Sequence, residues 1–389
     1  MQEKERTRQA FAALLRSGLW NRPLESAALP SLQAPDWKGI FRIAQQQAVW
    51  GVVADAVNRL PADRQPAPQA LQQLNFLLSR NRTRHAQLNQ TLAEAVTLLQ
   101  EDNIRPILLK GQGVATYYAD PTLRICGDID LYIGEDDYKK SCLWAKQWGE
   151  DKAEDKERKQ NTESVKHYHF RHGGVTVELH RIAGKLPNPR QNRKFQQWTK
   201  EMLTGEKCRR VRIGTSDITV PPADFELLYI FNHAYHHFLI SGIGLRQLCD
   251  WTLALHRFYG QTDSTRLKGE LKAFGLWCGW QIFGCIAVDT LGLPEAEFPF
   301  YDGAYRQQAD KVLKHIFEDG NFGFFSPIRT ERPAGYIAGK WHTFKYMHHR
   351  FLHLFPLFPK EITGIWYSYL LTGTIQVIKD KQKKQNSKP

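Results

Sequence analysis

Seven consecutive residues, Gly127-Asp128-Ile129-Asp130-Leu131-Tyr132-Ile133, constrain this chain more than any other stretch. Apolar and acidic side chains alternate with a period of two, the period of a β-strand whose two faces meet different surroundings. On such a strand Ile129 and Leu131 turn to the core, while Asp128 and Asp130 stand side by side on the opposite face. Two carboxylates held so close repel each other unless a cation lies between them. Mg²⁺ is the natural counter-ion, with Mn²⁺ as its substitute, because it takes one or two carboxylates together with substrate phosphates.

A second strand pattern supplies a third acid. Residues 165–172 and 175–181 read as a hairpin around Gly173-Gly174, and in its second arm Thr176, Glu178 and His180 share one face. If that arm neighbours the Asp128/Asp130 strand, three carboxylates converge, an arrangement suited to two-metal phosphoryl or nucleotidyl transfer. Taken singly, Glu178 also reads as a solvent-facing hairpin residue, and His180 as either a substrate contact or a hydrogen-bonded sheet residue. Upstream, the apolar run Ile104–Leu109 reads as a buried strand, followed by Lys110-Gly111-Gln112-Gly113 and a short helix over 114–118. Glycines let backbone N–H groups approach phosphates, and Lys110 adds a cation. The spacing is not that of a Walker A loop. Arg124, four residues ahead of Asp128, reaches the phosphates or pairs with the carboxylates.

Around this unit the pattern is helical. Helices are expected over 3–20, 37–60 and 70–101, the last carrying Arg80, Arg82, Arg84 and His85 on a charged stretch read mainly as a solvated face. Beyond Pro221-Pro222 they are expected over 223–241, 245–259, 265–291, 304–318 and 361–379. The sequence therefore predicts an α+β protein: an N-terminal helical region (1–102), a small mixed-sheet core (103–220), a C-terminal helical domain (221–378) and a disordered basic tail (379–389).

Taken together, LLKG, a following Arg, GDIDLYI and a later VELH resemble the bacterial nucleotidyltransferase-like family of the DNA polymerase β superfamily. The resemblance implies that Asp128 and Asp130 bind the metals, that Glu178 is the third carboxylate, and that the Lys110–Gly113 turn meets a triphosphate. It also implies NTP as substrate. The superfamily's usual Gly-Gly/Ser pair is replaced by Lys-Gly-Gln-Gly, so no Ser hydroxyl faces the phosphate.

The remaining signals are weaker. His233 and His237 have the i, i+4 spacing of zinc ligands without an accompanying acid, so with His236 they read as packed core histidines or as a polar lining. Asp250 faces the same cleft or caps a helix. Six cysteines at 126, 142, 208, 249, 278 and 285 show no C-x-x-C pair and read as reduced thiols. With 53 Lys+Arg against 40 Asp+Glu, the net charge of +13 favours a polyanionic partner. The aromatic–basic segments 340–350 and 351–378 read as packed helices or as a peripheral membrane or base-stacking surface. No signal peptide is expected, no apolar run reaches about 18 residues, and a cytoplasmic location follows as the expectation. The functional expectation is a metal-dependent nucleotidyltransferase moving an NMP from an NTP to a sugar phosphate, peptide, small alcohol or RNA end. The alternative is a catalytically inactive relative that binds nucleotide, nucleic acid or a phosphorylated glycan.

Overall fold

The computed structural model describes residues 2–24, 35–150 and 167–369. Residues 151–166, the end of the helix expected over 361–379 and the basic tail lie outside the described residues. Four helices lead the chain: α1 (Gln2–Leu19), α2 (Trp37–Gln46), α3 (Trp50–Asn58) and α4 (Pro68–Glu101). The expected helix over 37–60 is broken at Gln47–Val49, where Ala48 takes a positive φ of 55°. α4 opens with Pro68 in its first turn, where a missing N–H costs nothing. It runs 34 residues, burying Leu74, Leu78, His85, Leu88, Leu92 and Val96 along one stripe.

The sheet is mixed, as expected, and small. β1 (Ile107–Leu108), β2 (Asp128–Tyr132), β3 (His167–His172) and β4 (Val175–His180) lie in the order β1-β2-β4-β3. β1 pairs antiparallel with β2, β2 parallel with β4, and β4 antiparallel with β3. The parallel pair needs a crossover, and α6 (Tyr138–Trp148) lies within it, after the single-turn α5 (Gln112–Ala115) that precedes β2. Ile129, Leu131, Val175, Val177 and Leu179 bury their side chains in one core with Leu88, Leu92 and Leu99 of α4 and Cys142 of α6. The period-two pattern thus puts one sheet face into oil and leaves the acidic face for the other side.

That other side is covered by the C-terminal helices α8 (Ala223–Ile240) and α9 (Leu245–Arg257). Between β4 and α8 come α7 (Pro189–Met202) and a second hairpin, β5 (Arg209–Ile213) with β6 (Ser216–Val220), elements the sequence pattern did not announce. Two helices, α10 (Ser264–Ala273) and α11 (Trp277–Cys285), replace the single helix expected over 265–291; Gly275, at φ 71°, lies in the break. α12 (Arg306–Asp319), α13 (Tyr336–Leu354) and a helix over 359–369 complete the described chain. The N-terminal and C-terminal helices form one continuous core, in which Phe11, Leu14 and Val53 join Phe231, Leu248 and Ile316. The two helical regions thus share one core, with α4 extending over the apolar face of the sheet and α8 and α9 on its acidic side. Among the described residues, no single helix is long and apolar enough to cross a membrane.

Candidate active site

The register of the parallel pair brings the acids together. Asp128 lies opposite Thr176, Asp130 opposite Glu178, and Tyr132 opposite His180, so Asp128, Asp130, Glu178 and His180 share the face beneath α8. The second hairpin arm does neighbour the Asp128/Asp130 strand, and the three carboxylates share one sheet face. Asp130 is fully buried. Its Oδ1 accepts a hydrogen bond from His180 Nε2 at 2.8 Å, and its Oδ2 lies 3.2 Å from Lys110 Nζ. His180 Nε2 also lies 3.4 Å from Glu178 Oε2.

These contacts fix the charges. Burial alone would raise the Asp130 pKa, but Lys110 and His180 outweigh it and hold the carboxyl well below the usual range. Asp128 is shifted the other way, raised by burial and by the Asp130 charge against the opposing pull of Lys110. Glu178 is lowered chiefly by its hydrogen bond with His180. Burial would lower His180, yet its hydrogen bonds to Asp130 and Glu178 lift it to about 8. The result is an acid-rich face on which Lys110 and His180 oppose the charge of the carboxylates.

The donor set fits a divalent cation. Asp130 Oδ2 is buried and receives no aligned hydrogen bond, only the facing ammonium of Lys110. Asp128, the carboxyl most disfavoured in its ionised form, stands next to it on the same face. A hard cation that takes oxygen ligands answers both conditions.

The Lys110–Gly113 turn divides its duties. Gly111 has φ 66° and ψ −118°, a conformation closed to residues with a Cβ, and a Cβ there would lie 3.3 Å from the Asp128 carbonyl oxygen. The glycine is thus what lets the turn lie against the start of β2. Gln112, expected at the phosphates, instead turns its buried side chain to α4, where its amide contacts His85 Nδ1 at 3.2 Å and also Asn89. α5 is one turn of four residues, so its helix dipole contributes little.

Arg124 departs from the expectation too. Its guanidinium is 4% exposed and grips Asp250 at two points, Nε to Oδ1 at 2.8 Å and Nη2 to Oδ2 at 2.7 Å. Tyr118 Oη donates to the same Asp250 Oδ1 at 2.8 Å. The alternative of pairing with a carboxylate is realised, but on Asp250 of α9 rather than on Asp128 or Asp130. The pair ties the loop before β2 to α9. From the charged middle of α4, Arg84 donates to the carbonyls of Gly127 and Gly174, and buried His85 meets the Arg124 carbonyl at 2.7 Å. Both brace the strand that carries the acids.

Between this face and the helices lies a cleft of about 420 Å³, whose walls include Lys110, Gly111, Asp128, Thr176, Tyr229, His233 and Arg246. Its size is that of a small-molecule site. His233 Nε2 lies 3.3 Å from Lys110 Nζ, and burial together with that ammonium holds its pKa well below the ordinary value. The His237 ring lies tilted beside it, ring centroids 4.6 Å apart, and its pKa is lowered by burial and Lys110 to about 4. Of the three α8 histidines, His233 lines the cleft and His236 opens on a separate cavity behind α8. Among the described residues, no group of three metal-ligating side chains includes the α8 histidines; the one that forms is His167, Glu178 and His180.

Arg246 is the residue that sequence reasoning missed. It stands one helical turn before Asp250 on α9, so a helical i, i+4 reading from Asp250 would have found it. Its Nη1 donates to the Ile125 carbonyl at 3.1 Å, its backbone N–H to Gln47 at 3.2 Å, and its Nε is buried without a hydrogen-bond partner. The aromatic–basic C-terminal stretch lies apart from this cleft. There Arg350 is buried against Asp319 at 2.6 Å, while Trp341, Leu352 and Phe355 are exposed.

A family model described as an uncharacterised nucleotidyltransferase matches residues 33–291, more than half of the chain, and spans every residue of the site named above. No curated protein and no solved structure matches.

Proposed function

Given that the chain belongs to this uncharacterised nucleotidyltransferase family, we propose that it transfers an NMP from an NTP to an acceptor at the Asp128–Asp130–Glu178 face, releasing pyrophosphate. The observation that carries the reading is the register of β2 on β4, which sets Asp130 opposite Glu178 and on the same face as Asp128, itself a wall of a small-molecule-sized cleft. Mg²⁺ or Mn²⁺ held by Asp128, Asp130 and Glu178 would supply the positive charge that lets a polyphosphate approach three carboxylates.

In the transfer, an acceptor oxygen forms a bond to the α-phosphorus, and the bond from that phosphorus to the β-bridging oxygen breaks. The leaving pyrophosphate takes the electron pair. Glu178, only half-buried, receives the acceptor proton. Lys110, now spent on Asp130, turns to the polyphosphate when that carboxylate gains another cation, and Arg246 provides a second positive group from α9. Backbone N–H groups of the Gly111 turn complete the anion contacts. The acceptor classes compatible with this chemistry are those bearing a nucleophilic oxygen: a sugar phosphate, a small alcohol, a peptide hydroxyl or an RNA end.

One observation favours the inactive alternative: the Lys110 ammonium already answers the Asp130 charge at 3.2 Å. Calorimetry with Mg²⁺ and each NTP, followed by a pyrophosphate assay over the four acceptor classes, separates the readings. Binding that needs Mg²⁺, with pyrophosphate released for one acceptor class, supports transfer. Tight binding with no pyrophosphate across all four supports the binding protein.

A further inference from the structure

At the end of the acidic face, beyond Asp130, lies a set of ligands of different chemistry. β3 and β4 pair His167 with His180 and His169 with Glu178. His167, Glu178 and His180 each present a ligand atom, and the three atoms lie within 4.8 Å of one another. Each side chain belongs to a hydrogen-bonded strand, so its origin is fixed. His180 Nε2 and Glu178 Oε2 are 3.4 Å apart. Two ligands bound at about 2.1 Å to a tetrahedral ion stand about 3.4 Å from each other, so this pair is already at ligand spacing. Asp130 Oδ1 lies 2.8 Å from that same Nε2, so an ion bound there displaces the Nε2 proton that the two carboxylates now face. Glu178 and His167 are only half-buried, which leaves an entry path.

We infer that His167, Glu178 and His180 form a binding site for a late first-row divalent ion of the Zn²⁺ or Co²⁺ type, with two imidazoles, one carboxylate and a fourth position open to solvent. Mg²⁺ is disfavoured there, because it demands octahedral oxygen coordination, whereas imidazole suits zinc, cobalt and nickel. The site shares Glu178 with the proposed transfer centre but needs neither nucleotide nor transfer to be occupied. Three protein ligands with an open position is the arrangement of a reactive rather than a purely structural ion.

The test is a titration of the full-length, EDTA-dialysed protein with CoCl₂, read by the visible d–d absorption of four-coordinate Co²⁺. The expected result is one strongly absorbing equivalent, bleached by stoichiometric Zn²⁺ and retained in a large excess of Mg²⁺. His167→Gln should weaken Co²⁺ binding at least about tenfold, with its far-UV circular dichroism unchanged. His169→Gln, an exposed position on the same face but outside the three-ligand group, should bind like the parent. Absence of the absorption, bleaching by Mg²⁺, or undiminished binding by His167→Gln overturns the inference. The two readings fail separately: Mg²⁺-supported pyrophosphate release without cobalt absorption contradicts this site alone, and absorption without release contradicts transfer alone.

Discussion

Replacing Arg124 by Met separates the two roles this residue can have. In the structure Arg124 and Asp250 are 4% and 5% exposed, joined by two short charge-assisted hydrogen bonds. Removing the guanidinium strands the Asp250 carboxylate with the Tyr118 Oη hydrogen bond at 2.8 Å. Breaking a buried pair by deleting one member costs about 3–5 kcal/mol, because the uncompensated charge stays in the interior. The double variant Arg124→Met/Asp250→Leu removes the stranded charge, and it should be more stable than Arg124→Met alone. Urea unfolding followed by tryptophan fluorescence and far-UV circular dichroism measures this, with coincident transitions licensing a single free energy. Buried Trp251, beside Asp250, reports directly on the region. If Arg124→Met instead costs less than about 1 kcal/mol while nucleotide affinity collapses, Arg124 is a phosphate ligand and the structural assignment is wrong.

Three further outcomes are expected. Gly111→Ala forces a Cβ into a positive-φ turn beside the Asp128 carbonyl, costing about 1–3 kcal/mol, whereas Gly113→Ala, in ordinary contact with Val220, stays within about 1 kcal/mol of the parent; thermal denaturation compares them. His180 is raised from 6.5 to about 8, so the stability it contributes in the metal-free protein is complete below pH 6.5 and is lost as pH rises through 8. The loss is about 2 kcal/mol, and His180→Gln should flatten that part of the stability–pH profile. Arg246→Gln leaves the Arg124–Asp250 pair in place, so calorimetry with Mg²⁺ and NTP should show weakened nucleotide binding while the unfolding midpoint moves little.

The legible part of the site was the part written in strand periodicity. GDIDLYI and TVELH each specify a two-faced strand, and apolar burial of Ile129, Leu131, Val177 and Leu179 leaves the acids no choice of face. What periodicity cannot express is which strands become neighbours; the expected convergence rested on that pairing, and the β2–β4 register supplies it. Side chains that answer to distant elements were not legible. Gln112 turns to α4, Arg124 to α9, and Arg246 is positioned by Gln47 more than 190 residues earlier in the chain. α7 and the β5–β6 hairpin escaped notice for a local reason: PRQNRKFQQWTKEM is polar on most of its surface, and RRVRI carries three Arg in five residues. Likewise the break of α2 from α3 is made by a single Ala in a positive-φ conformation, which composition does not announce.

The central claim is that Asp128, Asp130 and Glu178 support transfer of the α-phosphoryl group with its nucleoside. Parallel reactions with NTP labelled at the α- or the γ-phosphate, run with Mg²⁺ over the four acceptor classes, test it most directly. The account predicts that α-label passes to an acceptor while γ-label leaves as pyrophosphate, and that Asp128→Asn abolishes both signals with its unfolding midpoint preserved. Transfer of γ-label to the acceptor, or full α-label transfer by Asp128→Asn, contradicts it.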